Sequence, residues 1–189
     1  MQHPLYPSWA NGVYRAVIAA LVAIPACAVV GPMLYVRTPY NTNQFTVLDQ
    51  PVEFDHRHHV RDNGIDCLYC HSGAERSPHA GVPTSGQCMG CHSQVWTHSP
   101  LLAPVRDSYF AGTPLNWRRV HDLPDYVYFD HSVHVTKGIG CERCHGDVSS
   151  MARVVQTQPL TMGWCIDCHR ESSSASKITS LTTCSACHR

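Results

Sequence analysis

The sequence predicts a fold with little regular secondary structure, in which short helices and loops surround covalently attached cofactors, preceded by one transmembrane helix. Three observations lead to this prediction. The chain of 189 residues contains eleven cysteines and fourteen histidines. Ten of those cysteines form five C-x-x-C pairs, each followed at once by histidine. One uncharged apolar run near the N-terminus is long enough to span a bilayer.

The five repeated motifs are the attachment sequence for c-type haem. Their cysteines, which would form thioether bonds, are Cys67 and Cys70, Cys88 and Cys91, Cys141 and Cys144, Cys165 and Cys168, and Cys184 and Cys187. The histidines that would bind iron on the proximal side are His71, His92, His145, His169 and His188. Zinc ribbons and a disulfide scaffold are the alternatives, but neither requires a histidine directly after every pair. The sequence therefore predicts five haem c groups, and with them electron transfer.

The apolar run covers residues 16–36, between Arg15 and Arg37. As a helix it would measure about 30 Å, the thickness of one hydrocarbon core. We therefore expect residues 1–37 to be a single-pass anchor in the cytoplasmic membrane, with 38–189 as an extracytoplasmic haem domain. A cleaved signal peptide is an alternative, as is lipidation of Cys27, the one cysteine outside the motifs. A third interpretation of Cys27 is a small apolar residue inside the helix.

The chain repeats itself beyond the anchor. A Phe-Asp-His-x-x-His stretch starts at Phe54 before the first haem motif and again at Phe129 before the third. Each copy is followed by two motifs, which gives haem-pair modules at about 51–98 and 126–170 and a fifth motif at 184–188. Such repetition indicates duplication of one structural unit.

The domain would have only about 30 residues for each haem, so the porphyrins must form much of its core.

The formal net charge of the polypeptide is zero, which gives no indication of a nucleic-acid partner. Arg106, Arg118 and Arg119 lie between the modules. They are candidates to pair with haem propionates, or they are solvated surface residues.

Six-coordinate iron requires a distal ligand for each haem. His56, His59, His131 and His134 are the first candidates, because an H-x-x-H pair on one helical turn can reach two haems. The fifth iron has three candidate ligands, which are Met162, Met151 and His121. The remaining histidines considered, His58, His79 and His98, are weaker candidates.

Several segments resemble the pentahaem cytochrome subunit of bacterial alternative complex III. They are Ser99–Arg106, Trp117–Asp125, Tyr126–Val135 and Gly140–Arg170, and the resemblance extends from about Gln44 to the C-terminus. The resemblance implies an electron-transfer subunit of a complex that oxidises quinol. The implied partners are an iron–sulfur subunit, a polytopic quinol-oxidising subunit and a monohaem cytochrome c subunit. The implied acceptors are a soluble cytochrome c, a blue copper protein or a terminal oxidase.

Two other functions are compatible with five haem motifs. One is a free-standing membrane-anchored quinol dehydrogenase that donates electrons to a periplasmic reductase. In this chain Cys67 lies thirty residues after Arg37, which makes direct access of quinol to the first haem unfavourable. The other is a catalytic multihaem reductase, which needs an iron with an open coordination position. We expect a carrier without a catalytic site of its own, because all five motifs are ordinary.

Overall fold

The computed structural model describes residues 6–172 and 174–188. Residues 1–5, 173 and 189, which the predicted domains 1–37 and 38–189 include, lie outside the described residues. The chain forms two units by packing, the first ending at Thr42 and the second beginning at Asn43. The sequence places the domain boundary five residues earlier, after Arg37.

The first unit contains one long helix, α1, Ala10–Tyr35. Its 26 residues correspond to a length of about 39 Å, and none of them is buried against other parts of the chain. Among the described helices, it alone has the length and apolar composition to cross a membrane, properties that an N-terminal signal sequence shares. The predicted helix, 16–36, identified only the apolar part, since α1 begins six residues earlier and includes Arg15.

The second unit is built from short helices, and its described residues form no strand. The helices are α2 Cys67–Cys70, α3 Ser85–His92, α4 Ala103–Ala111, α5 His131–Thr136, α6 Glu142–His145, α7 Met162–Ser172, α8 Ala175–Leu181 and α9 Cys184–Cys187. A π-helical turn covers Arg57–Asp62, and 3₁₀ turns cover Pro100–Leu102 and Val148–Ser150. The predicted pattern of short helices and loops is confirmed for the described residues.

Side-chain caps fix where several of these helices begin. Asp66 Oδ1 accepts a hydrogen bond from the backbone N–H of Leu68 at 2.8 Å, directly before α2. The Asp130 carboxylate accepts from the N–H of Ser132 at 2.8 Å at the start of α5. An N-terminal cap satisfies backbone donors that have no partner within the helix. The short helices α2 and α5 therefore begin at defined residues although they have only one or two turns.

The polypeptide has a small apolar core. Val52, Leu102 and Val105 form its one buried cluster among the described residues, and Trp117 and Met89 pack against it at partial burial. A chain of this size ordinarily buries about two-thirds of its unfolded surface around a continuous core. Side-chain packing of the polypeptide alone accounts for little of the fold, which agrees with a domain whose interior is shared with large apolar cofactors.

Residues 43–53, here called the entry segment, connect the two modules. The Gln44 side chain donates to the Thr157 carbonyl, and the N–H of Phe45 donates to the Gln156 carbonyl at 2.9 Å. Gln50 exchanges two hydrogen bonds of 2.9 Å with the backbone of Arg118. The entry segment thus holds the first module beside the second.

Candidate haem sites

Each C-x-x-C-H motif lies on a helical turn. The first, second, fourth and fifth pairs of cysteines lie within α2, α3, α7 and α9, and the third begins at Cys141, the N-cap of α6. Residues three apart on a helix are neighbours on one face. Both sulfurs of a pair can therefore reach the same porphyrin edge. None of the eleven cysteines forms a disulfide.

The motif cysteines lie in partly apolar surroundings. Burial raises the pKa of Cys67, Cys70, Cys88, Cys144 and Cys165 above the usual value. These sulfurs are consequently neutral thiols at neutral pH. A porphyrin face is apolar. Surroundings that disfavour charge on these sulfurs therefore suit a haem that is attached to them.

The imidazole rings are oriented through Nδ1. Seven predicted ligands donate an Nδ1–H hydrogen bond to a backbone carbonyl, at distances of 2.7–3.1 Å. They are His59, His71, His92, His131, His134, His169 and His188. A hydrogen bond at Nδ1 fixes the tautomer and leaves the Nε2 lone pair free for a metal. Five of the seven carbonyls belong to residues outside the Phe-Asp-His-x-x-His repeat, because a backbone acceptor leaves no trace in residue type.

Three histidine pairs have the separation that one iron requires. The ring centres are 6.1 Å apart for His59 and His92, 6.3 Å for His131 and His145, and 6.1 Å for His134 and His169. Two imidazole nitrogens that each lie about 2 Å from one iron place their ring centres about 6 Å apart. Each pair combines one motif histidine with one histidine of an H-x-x-H turn. The residues present therefore fit haem iron with two imidazole ligands.

His56 is the fourth histidine of the H-x-x-H turns. Burial, with smaller contributions from the imidazoles of His71 and His59, lowers its pKa to about 4. His56 is therefore neutral at physiological pH, the form in which imidazole binds metal. Its Nδ1 is buried without a hydrogen-bond partner. The repeat makes His56 equivalent to His131, which lies beside His145 of the third motif. The pairing of His56 with the first motif stays a prediction.

Phe54 and Phe129 support the two H-x-x-H turns in the same way. The Phe54 ring stacks on His59 at 4.3 Å and meets His56 edge-on at 4.7 Å. The Phe129 ring stacks on His134 at 4.5 Å and meets His131 edge-on at 4.9 Å. One phenyl ring thus orients two imidazoles in each module. The sequence repeat contains both phenylalanines, but their role became visible only in the ring geometry.

The third motif is the most crowded. The His145 ring lies 4.2 Å from His121 as well as 6.3 Å from His131. Burial lowers the pKa of His145 to about 4, with further contributions from the neighbouring imidazoles, and burial also lowers the pKa of His121. His121 Nε2 is buried without a hydrogen-bond partner. His121, a candidate ligand for the fifth iron, is therefore placed beside the third motif.

The other candidates lie in different surroundings. Met162 is the first residue of α7 and is 68% exposed, whereas Met151, after the turn Val148–Ser150, is partly buried. His58 Nδ1 pairs with the Asp62 carboxylate at 3.0 Å on the surface. His79 and His98 are exposed.

Two of the arginines proposed for haem propionates already have protein partners. Arg106 donates to the carbonyls of Thr97 and Ser99 at 3.0 and 2.9 Å. Arg119 lies 3.6 Å from the Asp122 carboxylate. The Arg118 side chain is exposed. The pairing of these arginines with propionates stays a prediction.

Comparison with known proteins agrees with this geometry. Residues 127–189 match the family described as cytochrome c7 and related cytochrome c. The match covers 63 of the 189 residues, and together with the paired imidazoles it makes this chain similar to c-type cytochromes.

A particular relative is the multihaem cytochrome c subunit of menaquinone reductase from Nitratidesulfovibrio vulgaris strain Hildenborough. It is 29% identical to this chain over 162 residues, which cover 75% of this chain and 77% of the relative. Neither comparison singles out alternative complex III, the family that the sequence resembles.

Proposed function

We propose that this chain is the electron-transfer subunit of a membrane-bound, quinone-linked oxidoreductase complex, and that it carries five haem c groups. The observation that carries the proposal is the set of three imidazole pairs at 6.1–6.3 Å, each joining a motif histidine to an H-x-x-H turn. Such pairs leave no open position on an iron, which favours electron transfer over substrate chemistry.

Haem c, when bound, supplies reversible one-electron chemistry at its iron. The residues of the chain hold and orient the group. The cysteine pairs attach its edge, and His71, His92, His145, His169 and His188 provide the proximal imidazoles. His56, His59, His131 and His134 provide distal imidazoles, whose orientation is maintained by Phe54, Phe129 and the backbone acceptors.

We assign Met162 as the distal ligand for the fifth motif. It lies on α7, one helical turn before Cys165, and the Cys165 thiol interacts with Cys187 of the fifth motif. Its thioether is largely exposed, so packing within the polypeptide does not explain it. A thioether ligand raises the potential of a haem above that of haems with two imidazoles.

The helix α1 would anchor the protein in the cytoplasmic membrane, with residues from Asn43 onward on the extracytoplasmic side. Its apolar side chains have no cover from the rest of the chain, so lipid or helices of partner subunits would surround them. The partners implied by the resemblance to alternative complex III are an iron–sulfur subunit, a polytopic quinol-oxidising subunit and a monohaem cytochrome.

Two directions of electron flow follow from the two likenesses. The resemblance to alternative complex III favours quinol oxidation, with transfer toward a cytochrome c or a similar acceptor. The relative is a subunit of a menaquinone reductase, which favours the opposite direction. We propose quinol oxidation as the first candidate and quinone reduction as the second.

The proposal is tested by isolating the native complex in mild detergent and measuring both reactions. One assay supplies a menaquinol analogue with oxidised cytochrome c, and the other supplies a reduced cytochrome with a menaquinone analogue. His59→Ala should abolish the physiological reaction. The neighbouring His58→Ala is the matched control, since His58 pairs with Asp62 on the surface, and it should leave activity unchanged.

The outcomes separate the candidates. Activity in the first assay supports quinol oxidation, and activity in the second supports quinone reduction. A chain that migrates alone or with a single periplasmic reductase would contradict membership of a quinone-linked complex. It would instead identify a free-standing electron donor.

A further inference from the structure

The structure places the haem motifs in an order that differs from their order in the sequence. We infer that the five motifs form a single line, 88–92, 67–71, 141–145, 165–169 and 184–188, in which the second and fifth motifs are the two ends. The inference rests on the proposed attachment of haem at all five motifs. Hydrogen bonds and ring contacts that join the motifs, their distal histidines and the adjacent loops carry it.

The first and second motifs are neighbours because their distal histidines share one turn. His56 and His59 lie three residues apart, and Phe54 contacts both rings. His59 faces His92 of the second motif, while His56 interacts with His71 of the first. A second observation agrees, since the Gln87 side chain, directly before the second motif, donates to the Tyr69 carbonyl within the first.

The third and fourth motifs are joined by the equivalent turn of the second module. His131 faces His145 of the third motif at 6.3 Å, and His134 faces His169 of the fourth at 6.1 Å. Arg143, within the third motif, also lies 3.7 Å from the Glu171 carboxylate, which follows the fourth motif by two residues. The two modules therefore have the same internal arrangement.

The two modules meet through their first motifs. His131, which faces His145 of the third motif, donates through Nδ1 to the Pro78 carbonyl at 2.7 Å, and Pro78 lies in the loop that supplies the Gly81 acceptor for His71. The two inner motifs are consequently the first and the third.

The fifth motif continues the line from the fourth. His169 donates to the Leu181 carbonyl at 3.0 Å, three residues before Cys184. The Cys187 thiol interacts with Cys165 of the fourth motif. The opposite end is the second motif, whose flanking residues Val95 and Trp96 are exposed. Donor and acceptor subunits should therefore approach the regions around residues 88–92 and 184–188.

The order can be tested in the full-length holoprotein by marking single haems. Replacing one distal imidazole by a thioether raises the potential of that haem, so that it is reduced first. Reduction then removes its magnetic coupling to ferric neighbours. In a redox titration followed by electron paramagnetic resonance, we expect His56→Met to change two of the other haem signals and His59→Met to change one.

The sequential order makes the opposite prediction. If the motifs followed their order in the chain, His56→Met would change one signal and His59→Met would change two, and that result would overturn the inference. Iron positions in an electron cryomicroscopy map of the wild-type complex provide a test without variants. The map should show the iron at 67–71 nearest to those at 88–92 and 141–145, and adjacency of the second and third motifs would be contradictory.

Intact mass of the holoprotein separates this inference from the proposed function. Five haems with the expected neighbours support both. Five haems with sequential neighbours overturn the order alone. Fewer than five haems overturn the proposed haem assignment and, with it, the order.

Discussion

The two haem-pair modules share a local geometry but differ in what surrounds it. Phe54 and Phe129 each stack on one histidine with an interplanar angle of 28° and meet another nearly perpendicularly. In the second module, His131 donates to the Pro78 carbonyl, whereas Nδ1 of His56 is buried without a partner. Crowding by His121 also occurs only in the second module. Short repeated sequences determine the ring arrangement, and residues outside the repeat determine the environment of each iron.

The largest expected effect is loss of a distal ligand. His56→Ala and His131→Ala should each convert one haem from six-coordinate to five-coordinate, since each imidazole faces one motif histidine. The measurement is carbon monoxide binding by the reduced protein, with one new binding haem expected per chain. His131→Ala should in addition increase hydrogen exchange in the loop at residues 72–81, because its contact with Pro78 is lost. Unchanged carbon monoxide binding in both variants would refute the pairing.

The short helices and loops of the second unit could be predicted from the sequence, and the C-x-x-C-H spacing predicts a covalent chemistry at fixed positions. The H-x-x-H turns were equally accessible, and the structure places three of their four histidines at iron-compatible distances from motif histidines. The contacts that order the modules could not be predicted. They involve backbone carbonyls such as Pro78 and Leu181, which depend on tertiary packing and not on residue type.

Replacing the fifth distal ligand should have a similarly local effect. Met162→Ala should create one five-coordinate haem and remove the highest potential from a redox titration. His121→Ala is the matched variant, because His121 lies beside His145 and not beside the fifth motif. It should leave all haems six-coordinate and change the potential of the third haem only. A five-coordinate haem in His121→Ala with none in Met162→Ala would reverse the assignment.

A smaller effect, on the stability of the protein, is expected at a position where the two modules differ in backbone conformation. Gly146 follows His145 with φ of +71°, and a Cβ there would lie 2.7 Å from Thr157 Oγ1. Gly146→Ala should therefore destabilise the protein by about 1–3 kcal/mol. Ser72→Ala, at the equivalent exposed position after His71, should be nearly neutral. Thermal unfolding measures both, and equal melting temperatures for the two variants would contradict the strained conformation.

The smallest effect should come from the stacked phenylalanines. Phe54→Leu and Phe129→Leu remove an aromatic contact worth about 1 kcal/mol while keeping an apolar side chain. Because each ring orients two imidazoles, each variant should alter the resonance g-values of two haems, and the changes should be similar in the two modules. If the g-values changed in one module alone, the two stacked phenylalanines would not have the same role in the two modules.

The central claim is that paired imidazoles of this chain bind haem iron. Near-infrared magnetic circular dichroism of the oxidised full-length holoprotein tests it directly, since the technique counts irons with two histidine ligands separately from those with histidine and methionine. The account predicts four haems with two histidines and one with histidine and methionine. Fewer than four haems with two histidines would contradict it.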